Sequence, residues 1–128
     1  MMPANSKFDL DLRFGQEGEK WLTLLADEKT IEVKRERDVW AITGNVFFEF
    51  KSRGKPSGIA VTQSDYWVHL LSLDGKIRGG FIVETKTLKD NLRKMISSGT
   101  VKVVSGGDDR TSEGALVPLA MLKELFRI

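Results

Sequence analysis

Two short stretches of this chain carry an acid and a lysine at the spacing that strand chemistry uses: Glu32-Val33-Lys34 and Glu49-Phe50-Lys51. Side chains alternate between faces along a strand, so the acid and lysine of each triplet share a face, about 7 Å apart. If the two strands pair, Glu32, Lys34, Glu36, Glu49 and Lys51 gather on one surface, opposite a greasy face built from Ile31, Val33, Val46, Phe48 and Phe50. Two carboxylates from neighbouring strands can hold Mg²⁺ or Mn²⁺. A lysine beside them can orient or help deprotonate a water, or stabilise charge on a phosphate. These are the parts that metal-assisted phosphodiester hydrolysis needs. The bland alternative is a solvated sheet face whose cross-strand ion pairs contribute about 0.2–1 kcal/mol each.

Other stretches can add to such a site. The segment KSRGKPSG, residues 51–58, interleaves Lys51, Arg53, Lys55 and Ser57 with glycines whose backbone N–H groups suit phosphate contact. It lacks the spacing of a nucleotide-binding P-loop, and a surface turn kept soluble by lysines is the competing reading. Arg35 and Arg37 can add to the grip. Glu84-Thr85-Lys86 is a third acid-x-lysine triplet, with Asp74 ten residues upstream as a rival second acid. Asp65 opens an apolar strand and can support the site. His69, in the same strand, reads as a core or edge residue. Asp108 and Asp109 lie in a glycine-rich loop without calcium-loop spacing.

Composition narrows the chemistry. The sequence has no cysteine and one histidine, so disulfides, thiol nucleophiles, cysteine zinc sites and paired-histidine chemistry are excluded. Catalysis must then use carboxylates, lysines and a hard cation that prefers oxygen ligands. At 128 residues, with 41% hydrophobic and 30% charged residues, one soluble domain spanning 1–128 is expected, with residues 1–7 as a loose tail. A net charge of +2 permits nucleic-acid binding without arguing for it. No apolar run reaches the roughly 20 residues of a transmembrane helix, and the N-terminus lacks a signal-peptide layout. No membrane partner and a cytoplasmic, intracellular location are expected.

The elements that must position these residues follow from periodicity and turn chemistry. Phe8–Leu12 alternates like an extended segment. A helix is expected from about Gln16 to Ala26, with Trp21, Leu22, Leu25 and Ala26 inward and Glu19 at the buried edge. Strands follow over 30–36, 45–52, 66–71 and 81–85. A helix capped by Thr87 runs to Gly99, then a short strand over 101–104, a loop over 105–115, and a last helix from Pro118. The order α-β-β-β-β-α-β-α gives a mixed α/β (α+β) fold with a central mixed sheet flanked by helices.

This arrangement resembles the PD-(D/E)xK superfamily of restriction-endonuclease-like nucleases. The run from Glu32-Val-Lys34 through Thr43-Gly-Asn45, Glu49, Gly54-Lys-Pro-Ser-Gly58 and Asp65-Tyr-Trp67 is similar to small phage-type members, over about residues 8–119. The resemblance implies a Mg²⁺- or Mn²⁺-dependent DNA nuclease related to Holliday-junction resolvases, possible as a homodimer. It implies Glu32 and Glu49 as metal ligands and Lys34 as the catalytic lysine. Glu19 would be the acid of the first helix. The usual order in the superfamily, a lone acid on one strand and the complete triplet on the next, makes Lys51 the alternative to Lys34. The other functional reading is a nucleic-acid- or partner-binding protein that keeps the fold without turnover.

Overall fold

A computed structural model describes residues 6–106 and 110–128, the stretch 6–11 through its backbone alone. The first helix, α1 (Ser6–Glu28), is followed by β1 (Ile31–Glu36), a short helix α2 (Val39–Thr43), β2 (Asn45–Ser52) and β3 (Lys55–Pro56). A single 3₁₀ turn (Gly58–Ala60) leads to β4 (Tyr66–Leu73), β5 (Lys76–Glu84), α3 (Thr85–Ser97), β6 (Lys102–Gly106) and β7 (Ser112–Pro118). The described chain ends in a 3₁₀ helix over Leu119–Phe126. The mixed class is the expected one. None of the described helices is long and apolar enough to cross a membrane.

The strands divide between two sheets rather than forming one. The first has the order β1-β4-β5, with β1 parallel to β4; the second is antiparallel, β3-β2-β7-β6. The expected pairing of β1 with β2 is therefore wrong. The reason lies in the connection between them. Residues 39–43 coil into α2, whose Trp40 indole N–H donates to the Ser72 carbonyl at 2.7 Å. Gly44 ends the helix in the left-handed region (φ +73), and the chain leaves for the other sheet.

The core lies between the sheets and α3. Val46 and Phe48 of β2, Trp67 of β4, Val83 of β5, Leu88 and Leu92 of α3, and Ala115 and Val117 of β7 are all buried. The loop expected over 105–115 is strand from Ser112 onward. Ser-Glu-Gly reads as turn chemistry, but pairing with β2 and β6 on both sides overrides that local signal. Asp108 and Asp109 lie outside the described residues, as do residues 1–5.

Helix α1 differs most from expectation. It starts by Ser6 and so includes Phe8–Leu12, whose alternation predicts an extended segment. Of its expected apolar stripe, Leu25 alone is buried; Trp21 meets Tyr66 edge-on with ring centroids 5.5 Å apart, and Leu22 is 53% exposed. The other helix corrections are smaller. α3 begins at Thr85 rather than after Thr87, whose hydroxyl instead donates to Glu84.

Candidate active site at the seam between the sheets

The register of β1 on β4 decides where the first acid-x-lysine triplet points. Glu32 pairs with Trp67, Lys34 with His69 and Glu36 with Leu71, so the charged side of β1 shares a face with two buried rings. The opposite face, with Ile31 and Val33, is the more exposed one (Val33 55%). The polarity expected for this strand is thus inverted. The apolar layer comes from β4, and the acids and lysine of β1 are turned into the seam.

That register is pinned at one end by Thr30 and Asp65. The Thr30 N–H and hydroxyl donate to Asp65 Oδ2 at 2.9 and 3.1 Å, and the Asp65 N–H returns to the Thr30 hydroxyl at 2.9 Å. The Thr30 N–H, then its hydroxyl, hold the Asp65 carboxyl below its ordinary value, with Lys29 adding to the effect against partial desolvation. Asp65 is a register lock for β1, and its carboxylate is committed there.

Glu36, at the end of β1, ties the two sheets together. Its Oε1 accepts from the backbone N–H of Phe47, on the edge of β2 that has no strand partner at that point. It also lies 3.5 Å from Nε2 of His69, a fully buried ring. The Trp67 indole N–H donates to His69 Nδ1 at 3.0 Å, which leaves the ring proton on Nε2, facing Glu36. His69 is a core residue, stacked on Phe81 and packed against Phe48 at 4.7 Å between centroids.

Along this seam opens a cleft of about 170 Å³, lined by Glu32, Lys34 and Glu49, with Phe47, Trp67 and Gly58 among its walls. Glu32 is exposed; Lys34 and Glu49 are half-buried. Side chains of Glu32 and Lys34 have no hydrogen-bond or ion-pair partner among the described residues. Glu49 is oriented by the Ser57 hydroxyl, which donates to Oε2 at 2.9 Å. Two glycines make the cleft possible. A Cβ on Gly58, at φ +54, would stand 2.3 Å from the Glu49 carbonyl oxygen, and one on Gly114 would stand 2.6 Å from the Phe47 ring.

Three of the expected site residues, Glu32, Lys34 and Glu49, therefore meet, although their strands belong to different sheets. Glu19 does not join them. It is exposed on α1, and among the described residues no group of three or more acidic or histidine side chains is placed to hold a metal ion. Lys51 does not line the cleft either. A register shift between Glu49 and Lys51 sets Glu49 opposite Gly114 but Lys51 opposite Glu113, the adjacent residue, so the lysine leaves the face of its acid.

The basic loop is a tight hairpin instead of an open cradle. Arg53 (φ +50) and Gly54 (φ +78) form a two-residue turn between β2 and β3. Two of its N–H groups are engaged: Arg53 donates to Thr111 O at 2.9 Å and Ser57 to Phe50 O at 3.0 Å. Arg53 and Lys55 are exposed at the tip, while the Ser57 side chain serves Glu49. The rival pair dissolves, since Glu84 closes β5 and Asp74 lies beyond its opposite end, with the length of the strand between them. Sequence reasoning missed Phe47, Trp67 and the cross-sheet role of Glu36. The alternation Glu32, Lys34, Glu36 is the available signal, because three charges on one face need partners wherever that face meets a core. No protein-family model, curated protein or solved structure matches this chain.

Proposed function

We propose that the protein is a Mg²⁺- or Mn²⁺-dependent nuclease that hydrolyses phosphodiester bonds in DNA. The observation that carries this reading is the convergence of Glu32, Lys34 and Glu49 in one cleft from strands of two different sheets. Two carboxylates fit the cation: Mg²⁺ is commonly held by one or two of them, with waters and substrate phosphates completing the shell. Bound between Glu32 and Glu49, it would supply a Lewis acid and a water made more acidic.

The chain's own groups divide the remaining work. The Ser57 hydroxyl holds one oxygen of Glu49 and leaves the other to the cleft. Lys34, with no partner among the described residues, is the donor that meets negative charge developing on the phosphate. Trp67 and Phe47 wall the cleft with apolar surface, which strengthens each electrostatic interaction inside it. Arg53 and Lys55, exposed at the hairpin tip, can reach phosphates through their long side chains.

The test is cleavage of linear, single-stranded and four-way-junction DNA with Mg²⁺, Mn²⁺ or EDTA, by the wild type and by Lys34→Ala and Glu49→Gln. Metal-dependent cleavage lost in both variants is the expected result. Salt-sensitive binding with no cleavage in any metal identifies the non-catalytic DNA-binding reading instead, and neither binding nor cleavage rejects both.

A further inference from the structure

The loop over residues 57–64 borders more than the seam. Ser57 and Gly58 belong to the catalytic cleft, but Ile59 and Ala60 line a second groove of about 330 Å³, and Thr62 and Ser64 a third of about 380 Å³. The second groove is apolar, floored by Phe48, Phe50, Leu92 and Ile96. The third is polar, and its hydroxyls are chained: Thr62 Oγ1 donates to Ser64 Oγ at 3.1 Å, which lies 3.0 Å from Thr85 Oγ1. Between the two grooves stands one face of α3. Lys89 and Arg93 border both, and Lys86 borders the polar one.

The cations on this ridge are arranged for an anion. Lys89 Nζ is fixed by donating to the Thr62 carbonyl at 2.7 Å, which leaves its other two hydrogens for a ligand. Arg93 is 73% exposed and meets Asp90 at 3.3 Å. Asp90 is the one acid bordering the polar groove, against Lys86, Lys89 and Arg93. An apolar slot and a cationic, hydroxyl-lined slot on either side of one ridge match a ligand that is flat and apolar on one side and anionic on the other. A nucleotide with its base unstacked has that form, whereas in a duplex the base faces are covered by their neighbours.

We infer that these twin grooves bind an unpaired segment of the DNA strand, its base in the apolar groove beside Phe50 and its phosphate at Lys86, Lys89 and Arg93. The inference rests on the nuclease reading of the cleft for the identity of the polyanion, and it adds the substrate class: DNA with a single-stranded portion. The loop over 57–64 borders all three, with Gly58 at the cleft, Ile59 and Ala60 at the apolar groove, and Thr62 and Ser64 at the polar one.

Fluorescence anisotropy with a labelled oligothymidylate of about 16 nucleotides, in EDTA, tests this against a duplex of equal length. Wild type is expected to prefer the single strand. Ala60→Glu puts a like charge at the mouth of the apolar groove from an exposed position, and should weaken single-strand binding about tenfold or more, the scale of a stacked base. Lys89→Gln with Arg93→Gln should lower the slope of log affinity against log salt by about 0.7 for each phosphate these side chains neutralise. Lys102→Gln, an exposed lysine on β6, controls for charge alone and should leave affinity within about twofold of wild type. Equal or tighter duplex binding, no binding by the wild type, or groove variants that bind as the wild type does would overturn the inference. Metal-dependent cleavage by the same variants separates the two claims. Cleavage abolished by Glu49→Gln, with groove variants that bind normally, sinks the groove and leaves the cleft standing. Groove variants that lose single-strand binding, when neither they nor the wild type cleaves, do the reverse.

Discussion

Glu32-Val33-Lys34 and Glu49-Phe50-Lys51 are the same triplet in sequence and different objects in space. The first lies in β1, whose six-residue register on β4 runs without interruption, so acid and lysine stay on one face and enter the cleft together. The second spans the irregularity in β2, and its lysine is carried to the Glu113 side. A third triplet, Glu84-Thr85-Lys86, fails in another way, by running from β5 into α3. Spacing alone therefore proposes a shared face, and an unbroken ladder is what delivers it. The comparison favours Lys34 over Lys51 on geometric grounds that the sequence does not offer.

The sharpest way to break that comparison is to remove each lysine in turn. Lys34→Ala should lower the rate of metal-dependent cleavage roughly 100- to 1,000-fold, as removal of one preorganised donor to transition-state charge does. Lys51→Ala should change it only a few-fold and should act through substrate affinity. The reverse ranking would mean that β2, not β1, carries the working triplet.

Stability distinguishes two glycines that follow β2 next. Gly58 and Gly54 both sit at positive φ, but only Gly58 is hemmed in by backbone; Gly54 has open space around it. Gly54→Ala should destabilise by about 1 kcal/mol, the cost of a left-handed alanine. Gly58→Ala must also displace the Glu49 carbonyl, and should cost about 3 kcal/mol, read as a lower urea midpoint at constant m. It should disturb cleavage as well, because Glu49 is displaced with it. Glu36→Ala tests the seam from the β1 side. It orphans the Phe47 N–H and leaves His69 Nε2 without its carboxylate neighbour, for an expected loss of about 2 kcal/mol in the same assay.

Much of the fold is legible in the sequence because its signals are local. The bounds of β2 follow from its alternation, the positive φ of Gly44, Gly75 and Gly99 falls in the turns and the helix end where sequence places glycine, and α3 buries Leu88, Leu92 and Met95 at helical spacing. What is not legible is non-local. Alternation says which residues of β1 share a face but not which face meets the core, and that depends on β4 bringing Trp67 and His69. The strand character of Ser112–Gly114 comes from two neighbours and has no propensity behind it. A helical wheel puts Glu19 at the inner edge of α1, but a wheel orders positions around an axis without saying what the helix lies against. The three cleft residues still come together because they sit on opposite edges of one seam, so Glu32 and Glu49 meet without their strands pairing.

The smallest effect probes the lock that sets the β1 register. Asp65 is a stronger acid folded than unfolded, where a carboxyl of its type has a value of 3.8, because Thr30 donates twice to its ionised form. The folded protein therefore binds fewer protons at this group, and the stability it lends is present above pH 3.8 and lost as pH falls through the lower folded value. Glu124 is lowered in the same sense by the Arg127 side chain, so acid destabilisation has at least these two sources. Asp65→Asn should remove part of the fall in urea midpoint below about pH 4 and leave the Glu124 part. A second readout separates lock from mere surface charge. If Asp65 holds Glu32 and Lys34 in register with Trp67 and His69, the substitution should also slow cleavage modestly at neutral pH, because its bonds to Thr30 set where β1 begins on β4. Unchanged cleavage together with a flattened acid slope would leave the register to the strand ladder itself.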